Sequence, residues 1–178
     1  MRPTTGYHCS RCGEWHADLP LAYGADAPHL WYLVSDEQRA RSELTSDQCV
    51  IEERYFFIRG SIELKVIDGP GPLVWGVWVS LSERNFLRAC ELWHTPGREA
   101  EPPCFGWLST QLPGYPPVLQ VKTMVHTRPV GERPWVEVEW GGHPVADEQR
   151  NGITQARVRE IAETVLHGEL PGAEGTMA

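Results

Sequence analysis

The run Leu73-Val74-Trp75-Gly76-Val77-Trp78-Val79-Ser80-Leu81 is apolar almost throughout and constrains the fold more than any other stretch. A strand with one wet face alternates apolar and polar residues. This one does not, and reads as a central strand covered on both faces. Other strand signals surround it. Cys49-Val50-Ile51 and Tyr55-Phe56-Phe57-Ile58 are β-branched and aromatic. Ile62, Leu64 and Val66 alternate with Glu63 and Lys65, the pattern of one buried face. Val118 to Val125 and Trp135 to Trp140 read as two more strands, the second with Glu137 and Glu139 on its wet side. Between the Ile62–Val66 strand and Leu73, Asp68-Gly69-Pro70-Gly71-Pro72 can only be a turn or loop, and 94–103 reads as a polar loop.

Three helices are predicted. Ser35 with Gln38 three residues on has capping-box spacing and opens a helix from Asp36 to about Glu43. Ser82 caps a second, running to about Trp93 with Phe86, Cys90 and Trp93 on one stripe. Thr154 caps the last, in which Val158, Ile161, Ala162 and Val165 recur at helical spacing up to His167, and Gly168 ends it. The sum is an α+β fold, with a largely antiparallel sheet of five or six strands, about three helices on one side and an N-terminal zinc-knuckle-like turn at an edge. A chain of 178 residues suits one domain over 1–168, including the knuckle at 7–20, with 169–178 as a flexible tail.

The chain carries 24 acidic against 16 basic side chains, a net charge of −8. That balance repels phosphate, so nucleic-acid and anionic-membrane partners are disfavoured. No stretch approaches the roughly 20 apolar residues of a membrane span. Residues 1–6 lack the apolar core of a secretion signal, which makes the cytoplasm the expected compartment.

In a reducing compartment, Cys9-x-x-Cys12 reads as metal-binding before it reads as a disulfide. Such a turn aims two thiolates at one point and supplies half of a tetrahedral zinc site, here of structural type. The other half must come from elsewhere. His16 lies four residues after Cys12, and Cys49 opens a strand that can pass beside the knuckle. The expected set is therefore Cys9, Cys12, His16 and Cys49, with His8, His29 and Cys104 as reserves. A thioredoxin-like role fits less well, because Gly13, Asp18 and Pro20 point to loop where that motif needs a strand and a helix.

Two further constellations invite a functional reading. His143-Pro144-Val145-Ala146-Asp147-Glu148-Gln149 sets an imidazole beside carboxylates, yet no nucleophile elbow accompanies it, and a backbone-bonded turn before the last helix explains it better. Trp75, Trp78, Trp107 and His143 could line an aromatic pocket, although core packing explains such tryptophans more often. Arg59 ends a strand and seeks a carboxylate, more readily within this acidic chain than on a ligand. No glycine pattern for phosphate is present.

Several runs together resemble a known bacterial family. They are the run from Cys9 to His16, Asp47-Gln48-Cys49-Val50-Ile51, Phe57-Ile58-Arg59-Gly60, the run from Trp75 to Ser82, Gly106-Trp107-Leu108, Leu112-Pro113-Gly114-Tyr115-Pro116, and His143 to Gln149. The ensemble resembles the family called domain of unknown function 2199, from about Tyr7 to His167. The resemblance implies a stand-alone bacterial protein and lends weight to His16 and Cys49 as ligands, since both fall inside recurring runs. It implies no activity, substrate or catalytic residue.

The functional expectation is a non-catalytic, zinc-stabilised domain that binds another protein, with an immunity-type role as one version. The alternative is a small-molecule enzyme or sensor built on the aromatic pocket. A third reading is a zinc site sensitive to oxidation.

Overall fold

The computed structural model describes residues 6–168, and the tail expected at 169–178 lies outside them. The chain opens with a hairpin of β1 (Tyr7–His8) and β2 (Trp15–His16), then β3 (Ala22–Gly24) and α1 (Asp36–Ala40). Next come β4 (Glu43–Leu44), β5 (Gln48–Ile51), β6 (Tyr55–Leu64), β7 (Leu73–Leu81) and α2 (Glu83–Glu91). The remainder is β8 (Cys104–Leu108), β9 (Lys122–His126), β10 (Trp135–Val138), α3 (Pro144–Asn151) and α4 (Gln155–His167). The expected caps are present. Ser35 forms a full capping box with Gln38, and the Ser82 and Thr154 hydroxyls accept from the backbone N–H groups of Asn85 and Arg157.

The fold is mixed α+β and most strand pairs are antiparallel, as expected, but the sheet is not the simple one of five or six strands that was expected. It has eight strands, and five of them close into a barrel in the order β6, β7, β8, β9, β10 and back to β6. The closing pair, β10 with β6, is parallel, whereas the other four pairs of the ring are antiparallel. Among the described residues there are four α-helices where about three were expected.

Closure follows from the length of β6. Its whole inner edge pairs with β7, from Phe56 opposite Leu81 to Leu64 opposite Leu73. Its outer edge is shared. Residues Tyr55 to Ile58 pair with β5, and Ser61 pairs with Trp135 of β10. The hand-over falls at Gly60, where a Cβ would lie 2.6 Å from Val136 Cγ2 and 2.8 Å from the Pro134 carbonyl oxygen. Only glycine lets the two backbones meet. Gly106 serves the seam between β7 and β8 in the same way, since a Cβ there would meet Val79 Cγ1 at 2.3 Å.

The uniformly apolar β7 divides its side chains between two cores, as a period of two requires. Leu73, Trp75, Val77 and Val79 join Ile58, Ile62 and Leu64 of β6 in the main core, with Val145, Val158 and Ile161 brought in by α3 and α4. Trp78 turns the other way and packs with Cys49, Ile51 and Phe57 under Leu30, Trp31 and Val34. On that second face Trp78 alone is buried and Val74, Gly76 and Ser80 are half-buried, so the double coverage expected of this strand is met only at Trp78.

α3 lies where a turn was expected. Pro144 occupies its first position and the His143 ring nitrogen accepts from Val145 N–H at 3.2 Å, an N-terminal arrangement that suits proline. The Gln149 amide then imitates a strand neighbour, accepting from Val138 N–H and donating to the Val136 carbonyl, each at 2.8 Å. Among the described residues no helix is long and apolar enough to cross a membrane.

Candidate metal centre

The knuckle is a short antiparallel hairpin, with Tyr7 opposite His16 and His8 opposite Trp15. Its tip is closed by Cys9 N–H to the Glu14 carbonyl at 2.9 Å and Gly13 N–H to the Cys9 carbonyl at 3.0 Å. Gly13 takes φ +73°, the left-handed conformation this reversal needs. The Arg11 N–H points at the Cys9 sulfur at 3.4 Å. The Tyr7 ring stacks on His16 at 5.3 Å between centroids and fixes its imidazole beside the turn.

The hairpin rests on the last two turns of α4. Glu163 accepts from both the backbone N–H and the hydroxyl of Ser10, which hold its carboxyl below the ordinary carboxylate range. The Arg11 guanidinium reaches Thr164 Oγ1 at 3.0 Å and caps the helix end at the Gly168 carbonyl. Beneath these polar ties lies a small apolar contact among Tyr7, Cys9 and Ala162, with Leu19 at its edge.

This docking brings His167, the final residue of α4, to the knuckle. Its Nε2 lies 3.2 Å from Cys9 Sγ, and His16 Nε2 lies 3.4 Å from Cys12 Sγ. The ligand atoms of Cys9, Cys12, His16 and His167 all fall within 4.8 Å of one another. A tetrahedral zinc ion with two sulfur and two nitrogen ligands needs donor–donor edges of roughly 3.3–3.8 Å. Both measured sulfur–nitrogen edges are within a few tenths of an ångström of that window, so this group can hold a metal ion. Two thiolates and two neutral imidazoles would also cancel a dication's charge. The Cys12 thiol sits above its ordinary value: a backbone hydrogen bond at Glu14 lowers it, but loss of some solvent contact and the hydrogen bond and charge of the adjacent Cys9 sulfur together outweigh that. A cation arriving between the two sulfurs would relieve that repulsion.

Three of the four expected donors therefore meet, and Cys49 does not join them. It lies in the core layer with Phe57 and Trp78, 1% exposed, and burial pushes its thiol up to about 12. A thiol so placed is a small hydrophobe rather than a ligand. The reserves are elsewhere too. His8 packs on Trp15, the His29 backbone bonds to Ser109, and Cys104 is half-buried on β8 with its thiol raised by burial. The one sequence sign of His167 was a histidine in the last turn of a helix, where the helix dipole alone can explain it.

The aromatic pocket does not assemble. Trp75 and Trp78 belong to different cores, Trp107 stands 41% exposed on β8, and His143 caps α3. The carboxylate of Glu148 is likewise occupied, taking the Tyr115 hydroxyl and, at 2.8 Å, the Arg157 guanidinium. Glu148 thus ties α3 to α4. Arg59 stacks over Trp78 at 5.9 Å and donates to the Ser46 carbonyl, and among the described residues it forms no ion pair with the internal carboxylate that was expected.

No curated protein and no solved structure matches the chain. One family model does, over residues 8–153, and so it takes in Cys9, Cys12 and His16 but stops short of His167. With that match running from the knuckle through the whole barrel to the link before α4, the chain belongs to the family described as "Uncharacterized protein conserved in bacteria (DUF2199)".

Proposed function

We propose that this chain is a non-catalytic domain, stapled by a structural zinc ion, that works by binding another protein. The observation that carries the zinc reading is the convergence of Cys9, Cys12, His16 and His167 from the two ends of the described chain. Two thiolates with two imidazoles select zinc over the hard oxygen-seeking cations. Four protein ligands leave no open position for water or substrate, which is the mark of a structural rather than a catalytic site. In the unfolded chain Cys9 and His167 are 158 residues apart, so binding energy at this site becomes folding energy. Metal analysis of reduced, zinc-reconstituted protein tests this. Wild type and Cys49→Ser should retain a stoichiometric zinc ion, Cys9→Ser should lose it and His167→Ala should bind it more weakly. Metal-free wild type after reconstitution would sink the reading.

The protein-binding half is supported by an aromatic face outside the barrel. Phe105 and Trp107 form an edge-to-face pair at 5.0 Å on β8, 42% and 41% exposed, and Trp140 stands 67% exposed after β10. Exposed aromatics are the usual anchors of protein interfaces, and a net charge of −8 favours a basic partner, of which a neutralised toxin is one kind. In a pull-down from native lysate, wild type should retain at physiological salt a partner that Phe105→Ala/Trp107→Ala loses. Recovery of wild type alone counts against this half.

A further inference from the structure

We infer that Cys9 and Cys12 form a peroxide-sensitive latch on the end of α4, in which oxidation of the two sulfurs to a disulfide expels the metal and frees His167. This rests on the zinc reading above and adds a regulation to that site.

The two sulfurs differ in access. Cys12 is exposed at the tip of the knuckle, whereas Cys9 is 2% exposed and lies against α4. An oxidant from solvent therefore meets Cys12 first, and Cys9 stands behind it, inside the same 4.8 Å group, as the resolving thiolate. The remaining cysteines compete poorly. Cys49 is in the core, and Cys90 and Cys104 are half-buried and lie outside the four-residue group. Site-selective oxidation requires this combination of a metal-held thiolate, exposure and a neighbouring sulfur.

The chemistry balances with a peroxide as oxidant. The Cys12 thiolate attacks one peroxide oxygen, the O–O bond breaks, hydroxide leaves and a sulfenic acid remains. The Cys9 thiolate then attacks the Cys12 sulfur, the S–O bond breaks and a second hydroxide leaves. Two sulfurs have lost two electrons, the peroxide has gained them, and the two hydroxides are neutralised to water by protons from the buffered solvent. Zinc is left with His16 and His167 alone, too few donors to hold it. The tie between Cys9 and His167 goes with it. What still holds the hairpin to α4 is Ser10 on Glu163, Arg11 on Thr164 and Gly168, and the small Tyr7–Ala162 contact.

The full chain, reduced and loaded with zinc, is treated with hydrogen peroxide while a chromogenic chelator reads free zinc and peptide mapping reads the sulfur bonds. Zinc release should track a Cys9–Cys12 disulfide, amides in the last turn of α4 should exchange faster, and dithiothreitol with added zinc should reverse both. Cys12→His keeps four donors but removes the disulfide, and should lose zinc roughly tenfold or more slowly, since its one remaining sulfur is buried. If that variant takes up no zinc, the wild-type mapping decides alone. Zinc retained by wild type under peroxide, or released while Cys9 and Cys12 stay reduced, overturns the latch. A wild-type chain that never binds zinc is a separate result, visible before peroxide is added, and fails the site itself.

Discussion

The barrel and the knuckle are held together by opposite means. The barrel closes a ring of strands around Leu73, Val77, Val79, Ile62 and Leu64, each 0% exposed, so its stability comes from apolar burial and needs no ligand. The knuckle has two strands of two residues and a contact of three buried side chains. A hairpin so small is marginal by itself, and its other ties are polar and partly wet. The comparison teaches where a metal matters. A cross-link adds little to a region already packed and much to one that cannot build a core, the more so when it closes a long loop.

Four measurements break or sharpen this contrast. Trp78→Ala empties the second core layer and should cost about 3–5 kcal/mol in urea unfolding, with the same loss with or without a chelator. A loss confined to zinc-free protein would show that the two regions are not independent. Zinc itself should raise stability by about 2.7 kcal/mol at a hundredfold excess over its dissociation constant. Amide exchange should locate that gain at residues 7–16 and at the end of α4. Gly60→Ala forces a Cβ into Val136 and Pro134 at the barrel seam and should cost about 1–3 kcal/mol while leaving zinc affinity unchanged. The smallest effect concerns Glu163. Ser10 holds its carboxyl below the ordinary range, so its contribution is whole above the unfolded value of about 4.3 and is lost as pH falls through the lower folded value. Zinc-free Glu163→Gln should lack that acid-side loss of knuckle protection, and an unchanged pH profile would remove Glu163 from the attachment.

Much of the barrel was legible because its signals are local. Ser35, Ser82 and Thr154 cap helices through bonds made three residues away, and β7 advertises its two cores by having no polar face. What escaped was either masked or remote. β8 hides because Cys104 to Leu108 follows two prolines and shows exposed Phe105 and Trp107 on one side. α3 was marked by Pro144 at a first helical position, a signal outweighed by the acids and histidine beside it.

The sequence by itself determined that two thiols stand a turn apart with a histidine four residues on, since a knuckle is made by neighbours. It also determined the three capped helices and most of the longer strands, through alternation, capping and turn residues. Only the tertiary structure decided that the sheet closes at Gly60, that Cys49 is core, and that His167 meets Cys9, Cys12 and His16. The physical reason is range. Local bonds are written in short spacings, whereas the meeting of residues 9 and 167 is fixed by how the barrel places α4 against the first hairpin.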